Sequence, residues 1–267
     1  MTWTFNGKGD KIGMIQSVQL TLHTTVEELE KEWLFLQVED QSLIYQTYEW
    51  VRIAFNTLEK NTTPLIICGW KEDGIQFILP LVAEKTGLIT TIRWIGRTHA
   101  NIGGGLYNKQ FLANLGDTFF KMAFKQIAKS VSGPKLLRLN NQLFDLPTGP
   151  NPMLSLPKQT SVNHFFEMDI SKGIDAVLEL GNAKRKRKLY RRRVRVGDDN
   201  GGSELFIPQT EEEINASIDD FLVQKAARFK EMGVEDVFAD DGTRDFLRQL
   251  ALAPMQDGVQ HLRIFEL

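Results

Sequence analysis

Apolar and polar residues alternate through "VQLTLHT" at 18–24, the period of a strand with one buried face. Thr24 and Thr25 then stand three residues before Glu27 and Glu28, a capping-box spacing that predicts a helix start. A second helix is predicted from Thr47 through "YEWVRIAFNTLEK". Two β-rich runs follow, "PLIICGW" and "IQFILPLVAE", joined by "KEDG"; this is a hairpin pattern with Gly74 closing the turn. Pro80 lacks an N–H to give to a ladder and predicts an edge or a bulge in the second strand. "LITTIRWI" is a further strand feeding the loop "GRTHANIGGGLYN", after which a helix from 111 to 130 leads to the strand "KLLRLN".

From 141 to 160 the chain holds four prolines and predicts a structured connection, not an element. "HFFEMDI" is expected as a strand, and a helix should run from Lys172 to Val196. "GDDNGG" is a turn and "SELFIP" a short strand. A helix with its N-cap near Thr210 should continue to Gly233, with Glu211 to Glu213 at the end where the helix dipole favours acids. "GTRDFLRQLAL" adds another helix and "GVQHLRIFEL" a last strand. The order is mixed, so the expected class is α/β of the α+β type, with a mixed sheet.

Composition sharpens this picture at one place. The 267 residues are 42% hydrophobic, ordinary for one large or two medium domains. Formal charge is only -2, yet nine Lys and Arg and no acid lie between Lys184 and Arg195 in "AKRKRKLYRRRVRV". The rest of the chain holds 23 Lys and Arg against 34 acids, so the charge is segregated. A pI near 6.1 argues against a general nucleic-acid binder. The longest apolar stretch, "FILPLVA", is far short of a membrane span, and the N-terminus lacks a signal-peptide core. With a lone cysteine, Cys68, expected as a small buried hydrophobe, a cytoplasmic location follows.

The basic run fits a solvated helix face, a grip on a polyanion or phosphate-bearing ligand, or a nuclear signal of the "KRKRK" kind. Arg185, Arg192 and Arg195 are the candidate phosphate ligands, because guanidinium chelates phosphate oxygens bidentately. In "THANIGGGLY", His99 and Asn101 are candidate substrate contacts, although a strand-to-helix turn also accounts for the three glycines. "RWIGRT" half-matches the Arg/Gln-x-x-Gly-x-Gly/Ala pyrophosphate loop of acetyltransferases, with Thr98 at the last position. Histidines at 23, 99, 164 and 261 are scattered and no metal is expected. Asp219–Asp220 and Asp240–Asp241 read as a helix face and a loop, and no Ser-His-Asp set assembles from the sequence.

The order "YQTYEWVRIAF", "IQFILPLV", "IGRTHANIGGGLY", "NPMLSLP", "KRKRKLYRRRVR" and "FLVQKAARFKEMGVEDVFADDGTRDFLRQLA" resembles the CelD-like (BcsL-like) acyltransferases. These are bacterial proteins of the GNAT superfamily, associated with cellulose or exopolysaccharide biosynthesis. The resemblance implies tandem GNAT-like acyl-CoA N-acyltransferase domains at 1–165 and 166–267, the second starting with the basic helix. It also implies that the second domain is incomplete at Leu267. It implies acetyl-CoA or another acyl-CoA as co-substrate, and an amine or hydroxyl acceptor such as a sugar or envelope precursor. The catalytic base stays unassigned. Two other readings stand beside it: a Fem-like aminoacyltransferase using aminoacyl-tRNA, and an inactive fragment or non-catalytic module that binds an anionic polymer.

Overall fold

A computed structural model describes residues 9–39, 42–162, 164–180, 183–199, 201–202, 206–240, 242–253 and 264. The chain divides into two compact units, Met1–Lys158 with Ile218–Arg263, and Gln159–Ser217 with Ile264–Leu267.

The first unit is built on a mixed seven-stranded sheet. Its strands are β1 (Asp10–Ile15), β2 (Val18–His23), β3 (Thr63–Lys71), β4 (Gly74–Thr86), β5 (Ile89–Trp94), β6 (Leu106–Tyr107) and β7 (Lys135–Arg138). They lie in the order β1-β2-β3-β4-β5-β7, with β6 also paired to β4. Every pairing is antiparallel except β5 with β7. β1, which the sequence pattern does not announce, joins β2 through Gln16 and Ser17, at φ 46° and 65°. Positive φ at both central positions gives a turn whose twist matches the strands it joins.

β4 is buried without interruption from Ile75 to Val82 because both faces of the sheet are covered. On one face Leu20, Leu65, Ile67, Phe77 and Leu79 pack against Phe111 of α3 (Lys109–Ala113) and Phe119, Phe120 and Ile127 of α4 (Phe119–Lys129). On the other, Ile66, Cys68, Ile78 and Val82 meet α1 (Glu30–Glu39), α2 (Tyr48–Leu58) and α8 (Thr243–Leu252). Cys68 is fully buried and its thiol is pushed up by desolvation, as expected of a small core residue.

Several expectations need correction. Pro80 lies inside β4, opposite Ile66 of β3, and not at an edge or bulge. Its carbonyl accepts from Ile95 N–H at 3.1 Å, on the side where β6 pairs with Phe77 and Ile78 and β5 pairs from Leu81 onward. Proline is tolerated because its missing N–H faces the step between two short partners. The expected capping box at Thr24 and Thr25 is not used: the chain enters a 3₁₀ turn at Glu27–Leu29 capped by Val26, without a side-chain hydrogen bond. The 111–130 helix is two helices, α3 and α4, and Asn108 caps α3 by accepting from Phe111 N–H at 3.0 Å.

The second unit holds α5 (Gly173–Glu179) and the basic helix α6 (Ala183–Asp199) where one helix was expected; extended backbone at Leu180, ψ 124°, ends α5. Residues 164–170, the expected strand "HFFEMDI", pair with no strand among the described residues. Phe206 in "SELFIP" forms an isolated bridge, while 203–205 lie outside the described residues. So does the expected last strand "GVQHLRIFEL", apart from Ile264. α7 (Glu211–Met232) begins as predicted: Thr210 Oγ1 accepts from Glu213 N–H at 3.2 Å and Glu213 Oε2 from Thr210 N–H at 3.1 Å. That reciprocal pair is a capping box.

Candidate functional site

The glycine loop at 96–105 is fixed to the first unit by a carboxylate at the end of α2. The Glu59 side chain is fully buried; it accepts from Arg93 Nη1 and Nη2 at 2.9 and 2.8 Å, and from Gly96 N–H at 2.9 Å. Arg93 also donates through Nε to Glu84 at 2.7 Å. That hydrogen bond holds the Glu84 carboxyl below its usual range, and burial opposes it. Burial works against the Arg93 charge, but its bonds to Glu59 and Glu84 outweigh that and raise its pKa. Arg97, at φ 48°, lies 3.7 Å from Glu59, 3.8 Å from Glu84 and 3.9 Å from Asp240.

These contacts decide the "RWIGRT" half-match. Both arginines face carboxylates, so neither is presented as a phosphate receptor. The glycines have packing reasons of their own. A Cβ on Gly96 would lie 2.3 Å from the Trp50 ring, one on Gly103 2.3 Å from Trp94, and one on Gly105 2.7 Å from the Ile78 carbonyl. The loop backbone is tied by Gly103 N–H to the Asn141 carbonyl at 3.1 Å. Side chains of Gln46 and Gln142 donate to the carbonyls of Ile102 and Gly103 at 3.2 and 3.1 Å.

His99 and Asn101 stand on this loop in different surroundings. The His99 ring centroid is 5.7 Å from Phe238 and 5.5 Å from Phe246, and Nε2 is 3.3 Å from Thr243 Oγ1. Burial lowers its pKa, with Asp240 opposing and Arg97 adding to the fall, so the ring is neutral at pH 7. Asn101 is exposed and donates to Tyr45 Oη at 3.0 Å. Neither His99 nor Asn101 lines the small cleft formed by Ser42, Leu43, Gln46, Ile102, the three glycines 103–105, Leu146 and Pro147. No charged side chain lines it.

α6 is the opposite environment. Every residue from Lys184 to Val196 is exposed. Arg185, Lys188, Arg192 and Arg195 follow the i, i+3, i+7, i+10 spacing that lines one helix face, over about 15 Å at 1.5 Å per residue. The helical register places Lys188 on the same face as the three candidate arginines. Among the neighbouring cations, Arg187 pairs with Glu179 and Lys186 Nζ donates to the Leu180 carbonyl. Arg185, Arg192 and Arg195 belong to the second unit, whereas His99 and Asn101 belong to the first.

Residues 184–267 match the acetyltransferase (GNAT) domain model. The match starts at the first cation of α6 and takes in α7 and α8. No curated protein and no solved structure matches the chain. Among the described residues no cluster of His, Cys, Asp or Glu is suited to a metal, and no helix is long and apolar enough to cross a membrane.

A second buried polar chain was not visible in the sequence. Trp70 Nε1 donates to Thr21 Oγ1 at 2.8 Å, Thr21 Oγ1 is 2.9 Å from His23 Nε2, and His23 Nδ1 is 3.2 Å from Glu28. Alternation in "VQLTLHT" puts Thr21 and His23 on one face, but nothing local says that Trp70, 49 residues on, closes the chain.

Proposed function

We propose that this protein is an acyltransferase that moves an acyl group from a coenzyme A thioester, acetyl-CoA in the first instance, to an amine or hydroxyl. The acetyltransferase match over 184–267 is the observation that carries the reading. Arg185, Arg192 and Arg195 are assigned to the cofactor phosphates. They share one exposed face of the helix that opens the match, and guanidinium forks suit phosphate oxygens. His99 and Asn101 are assigned to the acceptor. A neutral imidazole and a primary amide suit a sugar hydroxyl or amine better than an anion.

The chemistry is direct transfer. The acceptor lone pair attacks the thioester carbonyl carbon, a base takes the acceptor proton, and backbone donors stabilise the oxyanion. The carbon–sulfur bond then breaks, and coenzyme A leaves as a thiol once its sulfur is protonated. The setting we assign is a cytoplasmic enzyme of envelope or polysaccharide synthesis with two GNAT-like units, the plan of the CelD-like proteins that the sequence resembles.

Calorimetric titration with acetyl-CoA tests this, with Arg185→Ala/Arg192→Ala alongside. The expected result is binding by the native chain, weakened at least tenfold in the double variant, since a hydrogen bond to a charged group contributes about 1.5–3 kcal/mol. No binding by a folded chain would count against the enzyme reading. Unchanged binding in the variant would remove the phosphates from α6.

A further inference from the structure

The apolar residues of α6 are as exposed as its charges. Leu189 is 48% exposed, Tyr190 62%, Val194 45% and Val196 53%, on a helix whose polar positions are almost all cationic. At 100° per residue, Arg185, Lys188, Arg192, Arg195, Lys184, Arg191 and Arg187 fall within roughly 160°. Leu189, Val196, Tyr190 and Val194 occupy the remainder, with Lys186 and Arg193 among them. In the same unit, Phe166 is 87% exposed, Ile170 67% and Phe165 55%.

A helix made only to grip a soluble phosphate has no use for an uncovered apolar side. A solvated surface helix has no use for nine cations in twelve positions. The two faces together fit one kind of partner, a surface that is anionic in its outer layer and apolar just beneath it.

We infer that α6 docks this protein on an anionic lipid bilayer. Leu189, Tyr190, Val194 and Val196 enter the headgroup boundary, Lys186 and Arg193 between them snorkel up to lipid phosphates, and the other Lys and Arg side chains reach phosphates at the rim. The inference shares Arg185, Arg192 and Arg195 with the acyl-transfer reading, and Leu189 and Val196 stand one turn from Arg185 and Arg192; its test needs no coenzyme A, so the two readings fail separately. If both hold, the acceptor is a lipid-borne molecule met at the membrane surface.

The test is co-sedimentation of the full chain with vesicles of phosphatidylcholine alone and with phosphatidylglycerol added, in the absence of acyl-CoA. Two variants accompany it: Leu189→Asp/Val196→Asp, and Leu189→Cys carrying a polarity-sensitive dye. The buried Cys68 leaves position 189 as the labelling site. Binding at least about tenfold stronger to the anionic vesicles is expected, weakening with salt. The aspartate variant should lose it, and the dye emission should shift to the blue. No binding by a folded chain overturns the inference. So does binding that the aspartate variant retains without a blue shift, matched by equal affinity for a short RNA, which would make α6 a plain polyanion grip.

Discussion

Glu59 is a carboxylate with no exposure at all, and three donors converge on it: both terminal nitrogens of Arg93 and the amide of Gly96. A buried charge is tolerated only when its lone pairs are filled, and here filling them also sets the start of the glycine loop. Glu59→Gln keeps the shape but leaves Arg93 without half of its countercharge. We expect a loss of about 3 kcal/mol in urea unfolding, with Glu84 retaining part of the Arg93 interaction. A loss below about 1 kcal/mol would show that Glu84 alone suffices. The sequence gives no hint of this residue, since "NTLEKNT" reads as an ordinary solvated helix end. Its partners, Arg93 of β5 and Gly96 of the turn after it, lie 34 and 37 residues on, where no local pattern announces them.

Among the elements, those set by local chemistry were legible and those set by distant partners were not. The Thr210 cap, α7, α8 and the β3–β4 hairpin follow from spacing within a few residues. Gly74, at φ 116°, closes the hairpin turn in the conformation that its sequence position suggests. Pro80 reads as a breaker until the sheet shows two short strands sharing one side of β4. Likewise the basic run reads correctly as a helix, but one frame of charges hides Lys188 until the register is known. α8 illustrates the rest: its apolar side is plain in "TRDFLRQLAL", its destination is not. Phe246 is buried, edge-on to Trp50 with ring centroids 5.5 Å apart, and also 5.5 Å from the His99 ring. Phe246→Ala should cost about 3–4 kcal/mol and shift the His99 ring resonances. An unchanged His99 environment would mean that the contact does not govern that side chain.

Among the described residues of the whole molecule, the buried His23 and the half-buried His99 set the response to acid before the carboxylates do. Burial lowers the pKa of His23, against the pull of Glu28, and of His99. A folded pKa below the unfolded value of 6.5 means that the unfolded chain takes up protons first. Stability conferred by the neutral rings is therefore complete above that value and is lost as pH falls through it toward the folded pKa. Glu84 and Asp219, held low by Arg93 and Arg244, add their loss only at more acidic pH. Urea midpoints should fall between about pH 7.5 and about pH 5.5 in the native chain, and less steeply in His23→Gln/His99→Gln. Equal slopes would assign the acid sensitivity elsewhere.

The return of α8 to the first unit governs how this chain can be cut and recombined. The segment that matches the acetyltransferase model supplies Phe246 and Leu250 to a core whose other members, Trp50, Ile53 and Ile78, are encoded some two hundred residues earlier. Genetic exchange that swaps everything after the basic helix thus replaces one wall of the sheet's own core together with the downstream region. A chimera between relatives needs matched partners on α2 and α8, or a graft that carries 218–253 along with the strands it covers. Two stretches of coding sequence, 50–82 and 243–252, are thus tied in inheritance by the packing of one ten-residue helix.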